Sequence, residues 1–339
     1  MAKTREEPAN RLDMAARAGW LYYVAGNTQD EIAAKLGLSR QAAQRLVSLS
    51  MSSGLVRVRI EHPVAETLEL GRSLADRFGL DGVEVALADP SKPSLAGIAS
   101  ACAARLEREL QRTEPLVIGV GTGRSLRSAV EQMSPMRCPQ HRIVSLTGSI
   151  APDGTAAVYN VIFSLADKIE AAHYPMPLPV VAPSPHERTV LREQAMLRSL
   201  HELARCPDLA FVGVGEMGPR APLLADRFIS AEECAEVIEL GAVGEIIGWI
   251  FDRNGRVIDC ALTRRVLSAP LPFPDTTRVV AVAAGASKVD AILGALRGHL
   301  VDELITDEET ARLLLEAGSD ADGTDAPKGL AKKSAPGKI

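Results

Sequence analysis

The feature that most constrains this chain is a rhythm that starts near Glu66 and runs almost to its end. Short runs of Val, Ile, Leu and Ala alternate with longer amphipathic stretches. The runs are VEVALA (83–88), LVIGVG (116–121), RIVSLT (142–147), LPVVA (178–182), LAFVGVG (209–215), EIIGWIF (245–251), RVVAVAA (278–284) and ELIT (303–306). Strands that are apolar on both sides must be covered on both sides. Stretches such as ASACAARLERELQR and AEECAEVIELG supply helices that can do so. The expected fold class is therefore α/β: a doubly wound, mostly parallel sheet between two helical layers.

The N-terminal segment follows a different rule. RLDMAARAGWLYYVA (11–25) reads as a helix stopped by Gly26-Asn27. Thr28 caps a second helix, with Glu31 placed three residues on to complete a capping box. That helix ends at Gly37, and Ser39 caps a third over 40–53. VRVRI (56–60) then alternates apolar and basic residues as a short strand would. Helices 28–36 and 40–53, joined by Gly37-Leu38-Ser39, have the spacing of a helix-turn-helix. Ala33 is small where the helices cross, Gly37 supplies the positive φ of the turn, and Ala43 and Leu46 face inward. Arg40, Gln41, Gln44 and Arg45 are left on the opposite face, where Arg can read guanine and Gln can read adenine. Gln29 and Ser39, at the two helix starts, complete the candidate DNA-facing set. Arg57 and Arg59 are placed for phosphates.

Charge supports this reading. Residues 1–60 hold nine Lys/Arg against five Asp/Glu, so of a net −5 the remainder carries −9. From Ile32 to Ile60 there are five basic residues and no acidic one. A plain helical hairpin with a polar face is the simpler alternative. The turn spacing, both caps and the acid-free surface favour double-stranded DNA as partner.

Other classes are disfavoured. No apolar run reaches the ~20 residues needed to cross a bilayer, and MAKTREEPANR is followed by no apolar stretch, so the expectation is a cytoplasmic protein without a membrane partner. Five cysteines lie 26 to 68 residues apart without a CxxC pair, and the histidines form no HExxH, so neither disulfide framework nor metal is expected. The chain divides, on this reading, into a DNA-binding domain (1–60), a linker (61–67), an effector domain (68–317) and a small, polar, disordered tail (318–339).

Three strand ends in the effector domain carry glycine turns. IGVGTGRSL (118–126) places Gly121, Thr122, Gly123 and Arg124 at a helix start, where free backbone N–H groups favour an anion. It is neither a P-loop nor GxGxxG, so no nucleotide cofactor is expected. FVGVGEMG (211–218) is the second. In VAVAAGASKVDAI (280–292), Gly285 follows a strand and Lys288 sits at a helix start, where the helix dipole disfavours a cation unless an anion is bound; a snorkelling surface lysine is the alternative. Such turns converge on one crevice in open α/β sheets, which together suggests a phosphorylated small molecule.

At this point WLYYVAGNTQDEIAAKLGLSRQAAQRLVSLSMSSGLV resembles the N-terminus of the sorbitol-operon (SorC-like, DeoR-like) family of bacterial regulators. LADRFGLDGVEVA, IGVGTGRSL, RIVSLTGSI, ELGAVGEIIGWIFDRNG and AAGASKVDAILGALRGHLVDELITDEETA resemble that family's sugar-binding domain, so the likeness spans residues 11–317. The resemblance implies a winged or homeodomain-like reader fused to a domain of the glucosamine-6-phosphate deaminase and ribose-5-phosphate isomerase fold. It also implies a homotetramer and operator DNA upstream of a carbohydrate-catabolism operon, with a small, usually phosphorylated sugar or polyol as effector. Carried over, phosphate falls on Gly121, Thr122, Gly123 and Lys288, and the sugar near Gly148, Asn160 and Glu245. Three positions depart from the family: Glu245 where many members have Asp, Ala284-Gly285 in place of Gly-Gly, and Ala42-Ala43 in place of Thr-Val. The rival reading is a sugar-phosphate isomerase or deaminase on the same fold, with Glu245 as base and Lys288 as amine. It is disfavoured because no His lies in a glycine turn and no second carboxylate has an evident catalytic place, so no catalytic residue is assigned.

Overall fold

The computed structural model describes residues 6–56, 65–88, 95–151, 154–155 and 159–319. The chain forms two compact units, Met1–His62 and Pro63–Ile339.

The first unit is helical: α1 (Glu6–Tyr23), α2 (Gln29–Leu36) and α3 (Arg40–Ser52). Both predicted starts are capped. Thr28 Oγ1 accepts from the Glu31 N–H at 3.3 Å, and the Glu31 carboxylate accepts from the Thr28 N–H at 2.7 Å. Ser39 Oγ accepts from the Ala42 N–H at 3.2 Å. Gly37 closes α2 at φ 66°, and the Leu38 N–H then donates to the Ala33 carbonyl at 2.8 Å. This αL closure turns the chain sharply and points α3 across α2. The core of the unit is Ala18, Ile32, Ala33, Ala43 and Val47, with Leu21, Leu36 and Leu46 packed on it. Gly19 is needed where α1 meets the end of α3: a Cβ there would lie 2.5 Å from Ser50 Oγ. Arg57, Arg59 and the VRVRI strand beyond Val56 lie outside the described residues.

The second unit is a seven-stranded parallel sheet in the order β1-β10-β9-β5-β2-β3-β4. Its strands are β1 (Gly82–Ala86), β2 (Val117–Val120), β3 (Met136–Ser145), β4 (Ile169–Tyr174), β5 (Leu209–Gly213), β9 (Arg278–Val282) and β10 (Glu303–Asp307). An antiparallel three-stranded sheet, β6 (Gly215–Glu216), β7 (Ala242–Ile246) and β8 (Trp249–Asp252), extends from the end of β5. The apolar runs form strands because alternate residues feed two cores. Ala210, Val212, Val279 and Ala281 join one cluster, while Leu209, Phe211, Val280 and Val282 join the other. Each large buried side chain contributes ~1.5–3 kcal/mol.

Four expectations need correction. LPVVA (178–182) is not a strand; its ladder pairing amounts to isolated bridges at Pro179 and Val181. Pro lacks the N–H a continuous ladder requires. EIIGWIF is a hairpin rather than one strand, because Ile247 and Gly248 both take positive φ, 47° and 87°, and reverse the chain. The linker expected over 61–67 is helix from Ala65, within Ala65–Phe78. Gly318 and Ser319, expected in the tail, belong to the helix Glu308–Ser319; residues 320–339 lie outside the described ones.

Candidate functional site

From β2 the chain winds outward through β3 and β4, then returns to place β5 on the other side of β2 and continues through β9 to β10. The carboxyl ends of β2 and β5 are therefore a topological switch point, where the connecting chains separate and leave a crevice. A cavity of about 310 Å³ lies there. Its wall brings together all three predicted glycine turns: Thr122, Gly123 and Arg124 after β2; Gly213, Val214 and Gly215 after β5; and Ala284, Ser287 and Lys288 after β9.

Gly123 precedes the helix Arg124–Gln132 at φ 122°, a conformation that L side chains rarely adopt, and its Cβ position faces open space. Arg124 opens that helix and is exposed. The Thr122 hydroxyl donates to the Tyr159 carbonyl, so it is fixed by the opposite wall of the crevice. Tyr159 itself lines the cavity.

Glu245 reaches the crevice from β7. Its register partner on β6 is Gly215, whose missing side chain makes room for it: a Cβ at 215 would lie 2.2 Å from Glu245 Oε1. Glu245 Oε2 accepts from the Gly248 N–H at 2.8 Å across the tight turn. Burial pushes the Glu245 carboxyl above the usual range, and Asp226 adds to this, while the Gly248 hydrogen bond and Lys288 oppose it. Lys288 closes the turn Ala286–Lys288 ahead of the helix Val289–Arg297, and its Nζ donates to the Val214 carbonyl at 2.9 Å. Burial lowers its pKa against the pull of Glu245 and Glu216. The snorkelling alternative thus gives way to an inward lysine tied to the end of β5.

Several expected residues serve the backbone instead. Gly121 donates to the Phe211 carbonyl at 2.8 Å, and a side chain there would press on Ile247 at 3.3 Å. Gly148 is a point of close approach, 2.2 Å from the Leu178 carbonyl oxygen to the position of a Cβ. The Gly285 N–H donates to Thr310 Oγ1 at 2.8 Å. Asn160 stands at the start of the helix Val161–Ala166. None of these four lines the cavity, although a chain neighbour of each does: Thr122, Thr147, Ala284 and Tyr159. Sequence reasoning missed Glu216 and Asp226, two further carboxylates in the wall. Burial raises the Asp226 carboxyl, opposed by Arg124. The crevice thus sets Arg124 and Lys288 among Glu216, Asp226 and Glu245.

In the first unit, Ser39, Arg40, Gln41, Gln44 and Arg45 are exposed on the start of α3 and Gln29 is half-buried at the start of α2. Ser39 is occupied as a cap, and Arg40 lies 3.4 Å from Asp30. Among the described residues no group of His, Cys, Asp and Glu is arranged to hold a metal, and no helix is long and apolar enough to cross a membrane.

Fold and crevice define a class, and residues 62–316 match the Sugar-bind family, a sugar-binding domain; the chain belongs to this family of transcriptional regulators. Among its relatives is the erythritol catabolism regulatory protein EryD of Brucella abortus (strain 2308), 36% identical over 304 residues, covering 89% of this chain and 96% of that one. The transcriptional regulator LsrR of Enterobacter sp. (strain 638) is 32% identical over 320 residues, covering 93% and 94%. The full-length sorbitol operon regulator SorC of Klebsiella pneumoniae superposes with a TM-score of 0.69 at 26% identity, covering 89% of this chain and 98% of that one. The expected family and α/β fold are thereby met.

Proposed function

We propose that this protein is a cytoplasmic, non-enzymatic regulator of a carbohydrate-catabolism operon, assembled as a homotetramer and controlled by a small phosphorylated sugar or polyol. The crevice carries this reading. The backbone around Gly123 and the Arg124 side chain supply donors for an anionic head, helped by the helix N-terminus. In the same wall Glu216, Asp226 and Glu245 supply acceptors for hydroxyls, with Lys288 among them. A cavity of about 310 Å³ suits a ligand of a few carbons. Arg40, Gln41, Gln44 and Arg45 read base edges in the major groove, and Gln29 and Ser39 fix the approach of the helix pair.

The surplus of carboxylates favours a second reading for the ligand, a neutral polyol without phosphate. One experiment separates the two. The full-length protein is bound to DNA from upstream of its own operon, and candidate sugars, polyols and their phosphates are titrated into a gel shift. The proposal expects a phosphate ester to alter the shift at lower concentration than its parent alcohol. The reverse order supports the neutral ligand. Turnover of a sugar phosphate by the purified protein would overturn the non-enzymatic reading.

A further inference from the structure

The three carboxylates of the crevice are not interchangeable. Lys288, which burial pushes down, is pulled back up by Glu245 and Glu216. Glu245 already uses one oxygen on the Gly248 N–H. Asp226 answers to a different cation: burial raises its carboxyl, and Arg124 opposes that rise. Both Arg124 and Asp226 line the cavity. Among the described residues neither side chain has a hydrogen-bond or ion-pair partner, and they do not bond to each other. A guanidinium and a carboxylate thus face one cavity with all their hydrogen-bonding capacity unused.

The backbone fixes Asp226 in that wall. It follows the single helical turn Pro222–Ala225, and its N–H donates to the Pro222 carbonyl at 2.8 Å. Arg227 then takes a φ of 60°, uncommon for a residue with a Cβ. The Phe228 N–H donates to the Leu223 carbonyl at 2.8 Å, and both of those side chains are buried in one apolar cluster. The chain is pinned on either side of Asp226, so the carboxylate stays in place when a ligand enters.

What such a pair accepts follows from hydrogen-bond chemistry. Arginine only donates, and an ionised carboxylate only accepts. A group held by both must accept on one atom and donate from another. An alcohol does so, and so does a phosphate that keeps one proton. A sulfate or a carboxylate has no hydrogen to give, and sets a bare negative oxygen against Asp226. We propose that Asp226 determines the head-group specificity of the crevice: with Arg124 it selects a hydroxyl or a singly protonated phosphate and turns away sulfates and sugar acids. This rests on the reading of the crevice as the effector site and narrows the class of effector it takes. A phosphate ester is held there in its singly ionised form.

The test is calorimetry of the full-length protein with inorganic phosphate and with sulfate at about pH 8, well above the carboxylate range. The two ions there have the same shape and nearly the same charge, but only phosphate keeps a proton. The parent protein is expected to bind phosphate at least about tenfold more tightly than sulfate, because a site built to accept a hydrogen rejects a ligand that lacks one. Asp226→Asn is expected to lose this preference by gaining affinity for sulfate, to which the amide can donate. Asp226→Ala repeats the test without the amide and should lose the preference as well. Equal affinities in the parent, or a preference that either variant keeps, would overturn the role of Asp226 and leave an anion site in the crevice. Binding of neither ion by the parent would overturn it too; the gel shift with sugar phosphates then decides separately whether the crevice is the effector site.

Discussion

Arg40 and Arg45 on the reader, and Arg124 and Lys288 in the crevice, all stand at or near a helix start, where the dipole disfavours a cation. The two regions hold their charges in opposite ways. On the reader, Arg40 is 69% exposed and its ion pair with Asp30 lies in water, so holding the cation there costs little and contributes little. In the crevice, Lys288 is drawn inward, tied to a carbonyl and set against Glu245, a carboxyl that burial has made harder to ionise. The first arrangement suits a polyanion that arrives as a surface and brings salt-sensitive contacts. The second suits a small ligand that must replace the water it displaces with equally good partners.

The sharpest way to break this contrast is Arg45→Ala. The side chain is exposed in the second turn of α3, so its loss should leave both units folded. Operator affinity is expected to fall by ~1–3 kcal/mol, as for one lost base contact. Footprinting measures the loss, and calorimetry with the effector should show none. A fall in effector affinity as well would mean that the regions are not separable in this way.

Lys288→Met is the reciprocal test. It keeps the length of the side chain and removes the ammonium, so effector affinity should fall by ~1.5–3 kcal/mol, about 10–100-fold, as for a hydrogen bond to a charged group. Operator affinity without effector should stay the same. The remaining Glu245 loses the cation that opposes its burial, so its carboxyl should move further up.

Asp30→Asn probes the weak side of the comparison. It frees Arg40 and removes a negative charge close to the DNA-facing surface. Operator binding should tighten by less than ~1 kcal/mol, and the gain should shrink as salt screens it. Gel shifts at two ionic strengths read both effects.

How far the sequence disclosed these regions depended on whether a residue's task leaves a local trace. The reader was legible because Thr28, Glu31, Gly37 and Ser39 act within a few residues of one another. The sheet was legible where strands are buried on both faces. The edge strand β4 was missed because IEAAHY mixes polar and apolar positions and its burial is uneven. The hairpin turn was hidden because a β-branched residue, Ile247, occupies a left-handed position usually given to Gly or Asn. In the crevice, Arg124, Glu245 and Lys288 were found through their glycine turns and the family likeness. Glu216 and Asp226 arrive from β6 and from the loop after the helix Pro222–Ala225, and no short-range pattern marks them. Gly121 and Gly148 looked like ligand cradles because close packing demands the same residue, and Gly285 because its φ of 121° does.

The smallest effect concerns protons away from both sites. His173 on β4 and His201 on the helix Arg198–Arg205 each have an Nε2 buried without a hydrogen-bond partner. Burial holds both below the ordinary histidine value of 6.5; at His201 the Arg192 guanidinium adds to this, and at His173 the Ala171 carbonyl opposes it. In the window between the lowered folded values and the ordinary one, the unfolded chain binds more protons than the folded chain. Stability therefore rises with pH through that window, is fully present above it, and is lost as pH falls through the folded values. Replacing both with glutamine removes these two titrations while keeping polar side chains of similar size. The melting temperature of the double variant should fall less between pH 7.5 and pH 5 than that of the parent, where ~6.5 marks the ordinary histidine range. An equal fall in both would place the acid sensitivity in carboxylates that the fold holds below their usual range, such as Glu109, which Arg105 lowers against its burial.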